Sequence, residues 1–309
     1  MISKKFYEYR IETLSPLHIG VEGNNSLLSD SEVYNLAKKG GVSYLPGEIL
    51  KRALKTIILG ALLGKFNRKV LQRKISEELN KEGSSEKISD ILEKIVFGST
   101  SMADFMDSIK ISDACQEEDE EPIVKKVKTI WKEKGEITKN EREYSMEFIP
   151  PFSTFKGNIS INWEQIESAL QQSEENQDLT SHTKLKLLNR LFSNLNQVLK
   201  KMNLVHVGEE KKFFQDIEDS EFRPVIEFYN WLKKENLPAF QLGRFTGCPV
   251  NTVNEQAQRV ERDLLEGIIK STVNPLGNGS HNVRRLIISD PYNSEEQLEP
   301  PGWVKFEIQ

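Results

Sequence analysis

Several things are scarce in this chain of 309 residues. It holds only two cysteines, Cys115 and Cys248, far apart in sequence. That excludes a disulfide framework and a thiolate zinc site. Its four histidines, His18, His182, His206 and His281, form no HxxH, HExxH or HxH pair. Metal-ligand spacing is therefore absent, and neither a metal nor a cofactor is expected. No apolar run approaches the roughly 18 residues that a membrane span needs. The opening MISKKFYEYR lacks the apolar stretch of a secretory signal, so a cytoplasmic location is expected. There is no GxSxG elbow, no Walker A sequence and no internal repeat.

Positive charge is not in excess either. The formal net charge is −5, which taken alone argues against a nucleic-acid partner. Net charge averages over the chain, however. The run Gln116-Glu117-Glu118-Asp119-Glu120-Glu121 concentrates five negative charges and reads as a solvated loop. The remainder is close to neutral, with room for local basic patches.

Hydrophobic residues make up 37% of the chain, enough for a core. Residues 6–14 alternate and read as a strand. Residues 20–43 read as a loop region, with a short strand near Val33 to Leu36. A helix starts at Pro46-Gly47, carries Ile49, Leu50, Ala53, Leu54, Ile57, Ile58, Ala61 and Leu62 at helical spacing, and ends at Gly64. Further helices are expected over about 66–80 and from Ser89 to Gly98, then a strand over 107–114. Lysines cluster around Trp131 in 123–147. A strand follows in 146–163, entered through Pro150-Pro151. Residues 164–236 read as helices, with Leu188, Leu191, Leu195, Val198 and Met202 on one face. The tail is glycine-rich and closes on GWVKFEIQ, a strand expected to join the sheet of residues 6–14. Strands at both ends around a helical middle make an α+β pattern, one compact head with a helical insertion.

Three features carry chemistry. The first is TLSPLHIG, which sets His18 where a strand stops. A histidine there is either a hydrogen-bonded structural residue or an acid/base or ribose-phosphate contact. The second is a pair of glycine loops beside arginines: Gly243-Arg244 with Gly247, and Gly277 with Gly279 followed by Arg284-Arg285. Glycines let a backbone approach a phosphate, and arginine offers it a planar fork. Each loop alone also reads as an ordinary turn with solvated arginines. The third is Lys51, Arg52 and Lys55 on the helix after Pro46, either a solvated face or phosphate contacts. Together with the lysine-rich, aromatic-bearing 123–147 segment they point to RNA or another polyanion.

TLSPLHIG, YLPGEILKRALKT, VFGS, IKISDA, EFIPPFSTFKGNISI, GRFTG and GWVKFEI occur in this order. In this the chain resembles the RAMP superfamily of CRISPR RNA-binding proteins. Within it, the chain is most similar to the Csm-family subunit that caps the backbone of type III-A effector complexes. The resemblance covers 1–163 and 237–309. It implies a ferredoxin-like (RRM-like) sheet with a glycine-rich loop, a core over 1–163 with a thumb-like protrusion near 123–147, a helical insertion at 164–236, and a 237–309 segment that rejoins the core.

The implied function is a non-catalytic, CRISPR RNA-binding structural subunit, capping the backbone filament toward the 3′ side of the guide. Expected partners are CRISPR RNA, neighbouring RAMP subunits and target RNA. The implied RNA contacts are His18, Gly20, Lys51, Arg52, Lys55, Lys128, Arg142, Gly243, Arg244, Gly247, Arg284 and Arg285. One departure bears on catalysis. Target-cutting members carry an aspartate in the loop after the first strand, and the placement made here puts Asn25 there, with Asp30 later. An amide cannot serve as a carboxylate base. A RAMP endoribonuclease maturing the guide through His18, and a protein-interaction module built on 164–236, remain the alternatives. Subtypes III-B and III-D also remain open.

Overall fold

The computed structural model describes residues 4–20, 35–63, 65, 68–79, 88–97, 105–118, 120–133, 136–139, 144–172, 180–217, 219–243, 283–288 and 297–309. Asn25, Asp30, Arg142, Arg244, Gly247 and the NPLGNGS loop lie outside these residues, as does the first half of the expected strand from Val33 to Leu36.

β1 (Lys4–Thr13) forms where the sequence alternates, with Tyr9, Ile11 and Thr13 turned inward. β9 (Thr154–Asn162) lies antiparallel to it on one side and β13 (Trp303–Ile308) on the other. The expected docking of the terminal strand beside residues 6–14 is thus observed. Gly157 faces Tyr9 across β1 and β9, and a side chain there would collide with the phenol ring. The tyrosine lies across the glycine and donates its hydroxyl to Ser112 O at 2.8 Å.

The expected strand over 107–114 is broken. A 3-10 turn at Phe105–Ser108 leads into β4 (Ile109–Ile111), and β5 (Ala114–Gln116) follows after Ser112-Asp113. The break has a cause. Ser112 Oγ accepts from Asn158 N at 2.9 Å, and Asp113 Oδ1 accepts from Gly47 N at 3.1 Å. Asp113 thereby caps the start of α1 (Gly47–Leu63) from the break between β4 and β5. Gly47 is required there, because a Cβ would collide with Ile111 O.

The region read as loop also holds a hairpin, β2 (Lys38–Lys39) and β3 (Val42–Leu45). Gly40 and Gly41 turn it with φ of 62° and 91°, angles that favour glycine and suit a two-residue hairpin. Among the described residues the first sheet has the order β10 (Ala239–Gln241), β13, β1, β9, β5, β3, β2, with β4 also on β9. Its pairings are antiparallel.

One face of this sheet carries the main core. Tyr9, Ile11, Phe155, Ile159, Ile161, Val304 and Phe306 pack there with α1, α2 (Arg68–Leu79), α3 (Ile88–Phe97), α4 (Trp163–Gln172) and α5 (Ser181–Ser193). Fully burying side chains of this size contributes about 1.5–3 kcal/mol each. Asn162 ends β9 and starts α4, its Oδ1 accepting from Gln165 N at 3.2 Å.

The 123–147 segment folds as β6 (Ile123–Glu133), β7 (Glu136–Lys139) and β8 (Tyr144–Phe148). β7 and β8 pair successively along one edge of β6. β11 (Val283–Ile288) occupies the other edge, with β12 (Leu298–Glu299) beyond it. Along its described length this hairpin is part of a second sheet. A second core fills the space between that sheet and α6 (Leu195–Gln215) with α7 (Arg223–Glu235). Trp303 belongs to it, stacked on His206 at 5.2 Å and edge-on to Tyr229 at 5.9 Å. β13 therefore serves both cores. The helical 164–236 stretch divides likewise: α4, α5 and the first half of α6, with Leu195 and Leu199, go to the first core, and the rest of α6, with Val207 and Phe214, goes with α7 to the second.

Candidate nucleic-acid interface

Pro16 has no N–H to continue a ladder, and β1 leaves the sheet just before it. The segment Leu14–Gly20 is then held from two sides. On one, Leu14 N donates to Trp303 O at 2.7 Å, Trp303 N to Ser15 Oγ at 2.9 Å and Gly302 N to Pro16 O at 2.8 Å. On the other, Leu17 and Ile149 exchange hydrogen bonds of 3.0 and 2.8 Å.

These ties turn His18 inward, with only 3% of its surface exposed. Its ring meets Phe148 edge-on at 5.9 Å. Nδ1 lies 2.7 Å from the carbonyl oxygen of Glu147, which can only accept, so Nδ1 carries the proton. The hydrogen-bonded structural role describes His18; the expectation of a direct sugar-phosphate contact through its ring does not fit this burial. A Cβ on Gly20 would lie 3.1 Å from His18 Nε2, close enough that the ring would have to shift slightly.

The glycine-rich stretch meets the same place. Leu242 N donates to Gly302 O at 2.7 Å. Gly243 has φ of 100°, and a Cβ on it would collide with His18 O. The TLSPLHIG segment and the start of the GRFTG loop are thus in van der Waals contact. The described residues on either side of 21–34 are joined to each other beside them. Gly20 bridges Leu36, Ala37 N donates to Ile19 O at 2.8 Å, and Leu36 N donates to Glu147 Oε2 at 3.0 Å. Lys38 stands 3.6 Å from the same carboxylate. Gly20 and Gly243, the last described residues before the two stretches that the resemblance assigns to RNA, thus both lie against His18.

The basic residues are placed differently. Lys51 lies 3.5 Å from Asp107, and Lys55 lies 2.6 Å from Glu93 with its ammonium 5.0 Å from the Phe97 ring. Arg52 between them is exposed. Lys128 donates to Glu221 at 2.8 Å and ties β6 to the turn before α7. Arg284 makes a two-pronged pair with Glu210, Nε to Oε2 and the terminal nitrogen to Oε1, each at 2.7 Å. It also lies over the Phe213 ring at 4.4 Å. The two side chains are 13% and 4% exposed, so Arg284 is a buried tie of β11 to α6. It does not join His18 on one surface, as expected from GNGS…RR. Arg285, next along the strand, projects from the opposite face.

Asp113 is not among the residues expected from the sequence. The Gly47 N–H, then the Lys39 ammonium, hold its carboxyl below the ordinary carboxylate range. The N-terminus of α1, an anion site by its dipole, is thus already occupied by a carboxylate of the chain. Only the dipeptide Ser112-Asp113 marks it in sequence.

No curated protein matches the chain by sequence. Solved structures do match by fold. A chain of a Csm–crRNA–target RNA ternary complex from a type III-A CRISPR-Cas system, determined by cryo-EM, is 16% identical with a TM-score of 0.59, over 97% of this chain and 100% of that one. The crystal structure of Csm5 from T. onnurineus is 18% identical with a TM-score of 0.59, over 96% and 99%. The family profile of the RAMP superfamily matches residues 10–302, nearly the whole length, and the chain belongs to that superfamily.

Proposed function

We propose that the chain is a non-catalytic CRISPR RNA-binding structural subunit of a type III effector complex, capping its backbone toward the 3′ side of the guide. The observation that carries this is the contact between Gly243 and His18. It sets Gly243, where the glycine-rich loop begins, against the segment that leads into the first loop, and the resemblance makes both loops RNA-facing. The similar chain from the Csm–crRNA–target RNA complex supports the setting, with guide RNA, target RNA and neighbouring subunits as partners. The ferredoxin-like reading is supported by strand order. β13, β1, β9 and the β4/β5 position follow one another as fourth, first, third and second strands, with α1 after the first and α4 after the third.

Recognition runs through the RNA backbone, since one subunit must accept any spacer. Among the basic residues, Arg52 and Lys51 keep this role best. Among the described residues Lys51 pairs with a largely exposed aspartate, and such pairs are weak enough for a phosphate to displace. The burial of His18 speaks against a guide-maturing nuclease that uses it as acid or base. The test is equilibrium binding of CRISPR RNA of several spacer sequences at two salt concentrations, with target RNA and magnesium added to read cleavage. Similar affinities, a steep loss with salt and intact target RNA are expected. Specific cleavage, or salt-independent binding, overturns the reading.

A further inference from the structure

The Pro150-Pro151-Phe152 corner has no role in the interface above. Phe152 is 66% exposed and has φ of 70°. A bulky residue rarely adopts that angle, and glycine adopts it freely. The ring adds little burial in return. The corner is nevertheless firmly fixed. Phe152 N donates to Thr13 O at 2.6 Å, Thr13 N to Ser153 O at 3.0 Å, and Thr13 Oγ1 to Pro150 O at 2.7 Å. Thr13 and Ser153 are both buried. The chain thus holds a large apolar side chain outward, at a conformational cost, on a rigid base.

The surroundings of the ring decide what it meets. The acidic run, expected as a solvated loop, is pinned against this corner. Glu117 N donates to Thr154 O at 2.8 Å, and Ser153 Oγ donates to the Glu120 carboxylate. Glu117 is offset by Arg10 at 3.1 Å and Lys156 at 2.5 Å. Glu118 and Glu121 are exposed beside it. An RNA strand stacking on Phe152 would bring its phosphates against these carboxylates.

We propose that Phe152 and the acidic turn form a docking surface for a protein neighbour, an apolar socket rimmed by lysine or arginine. This rests on the reading of the chain as a subunit of an effector complex and names a contact within it. The ring is the anchor of the interface. The carboxylates steer the approach and keep the guide RNA off this face.

The test reconstitutes the complex from its RAMP subunits, guide RNA and the full chain, either wild type or carrying Phe152→Gly or the pair Glu118→Lys and Glu121→Lys. Glycine suits the backbone angle, so this variant separates folding from docking. It should melt at or above the wild-type temperature, and the free chain should bind guide RNA within about twofold of wild type. Its affinity for the assembly should fall roughly tenfold or more. The charge-reversed pair should slow association and flatten its salt dependence. Unchanged incorporation of both variants overturns the proposal. So does a loss of RNA affinity that follows the ring, which makes Phe152 a base-stacking platform. A wild-type chain that fails to enter the assembly overturns the functional reading and this surface with it.

Discussion

Gly243 lies so close to His18 that a β-carbon on the glycine would overlap the histidine's carbonyl oxygen. Its φ of 100° is a second reason for glycine at the same position. Gly243→Ala should therefore combine backbone strain with a steric clash. A loss of about 1–3 kcal/mol is expected from the strain alone, read by chemical denaturation. Guide RNA affinity should fall with it, because the segments that lead into both loops are pushed apart. An unchanged denaturation midpoint would show that the two segments are not in contact.

The Arg284–Glu210 pair yields a second prediction. Glu210→Ala should cost about 3–5 kcal/mol, since it leaves a buried guanidinium without its carboxylate. The double replacement Glu210→Leu with Arg284→Met should restore most of that stability. If Arg284 instead serves RNA, Glu210→Ala would leave stability near wild type and strengthen RNA binding.

Lys184 gives a pH dependence. Its side chain is buried beneath α5, where Nζ donates to Val96 O at 3.2 Å and Ile95 O at 3.4 Å, two carbonyls in the last turn of α3. Burial, and then the charge of Lys74, lowers its pKa from 10.5 to about 8. The unfolded chain then holds this proton more tightly than the folded one. Stability should rise from about pH 8 to 10.5 by up to a few kcal/mol and stay flat below that window for this group. Denaturant titrations of the wild type and Lys184→Met should differ in this rise. Parallel curves would contradict the buried, charged lysine.

Deleting residues 302–309 removes β13 from between β1 and β10, and with it Trp303, Val304 and Phe306. Each buried side chain contributes about 1.5–3 kcal/mol, against a typical total stability of about 5–15 kcal/mol. The truncated chain should fail to fold cooperatively. A truncated protein with its melting temperature intact would mean that the strand is dispensable to both cores.

What was legible in the sequence follows local physics. α1 could be read from Pro46-Gly47 and the apolar spacing that follows, and β13 from an alternation too apolar for a free end. The two-residue turn at Gly40-Gly41 was equally local, but polar neighbours masked its short strands. The second sheet was not legible, because the edge of β6 is covered by residues 283–288 from beyond the helical stretch. For the same reason Lys55, Lys128 and Arg284 looked like phosphate contacts. Glu93, Glu221 and Glu210, which engage them, come from elements that no spacing rule connects to theirs. The His18–Gly243 contact was half legible: both motifs were visible, and only the fold brings them together.

The central claim is that RNA meets this protein where the first loop and the glycine-rich loop leave the body. Ultraviolet crosslinking of guide RNA to the full chain, mapped by mass spectrometry, tests it most directly. Crosslinked peptides should come from residues 17–37 and 243–250, whatever the spacer sequence. Crosslinks confined to residues 195–235, or none at all from a chain that has entered its complex, would contradict it.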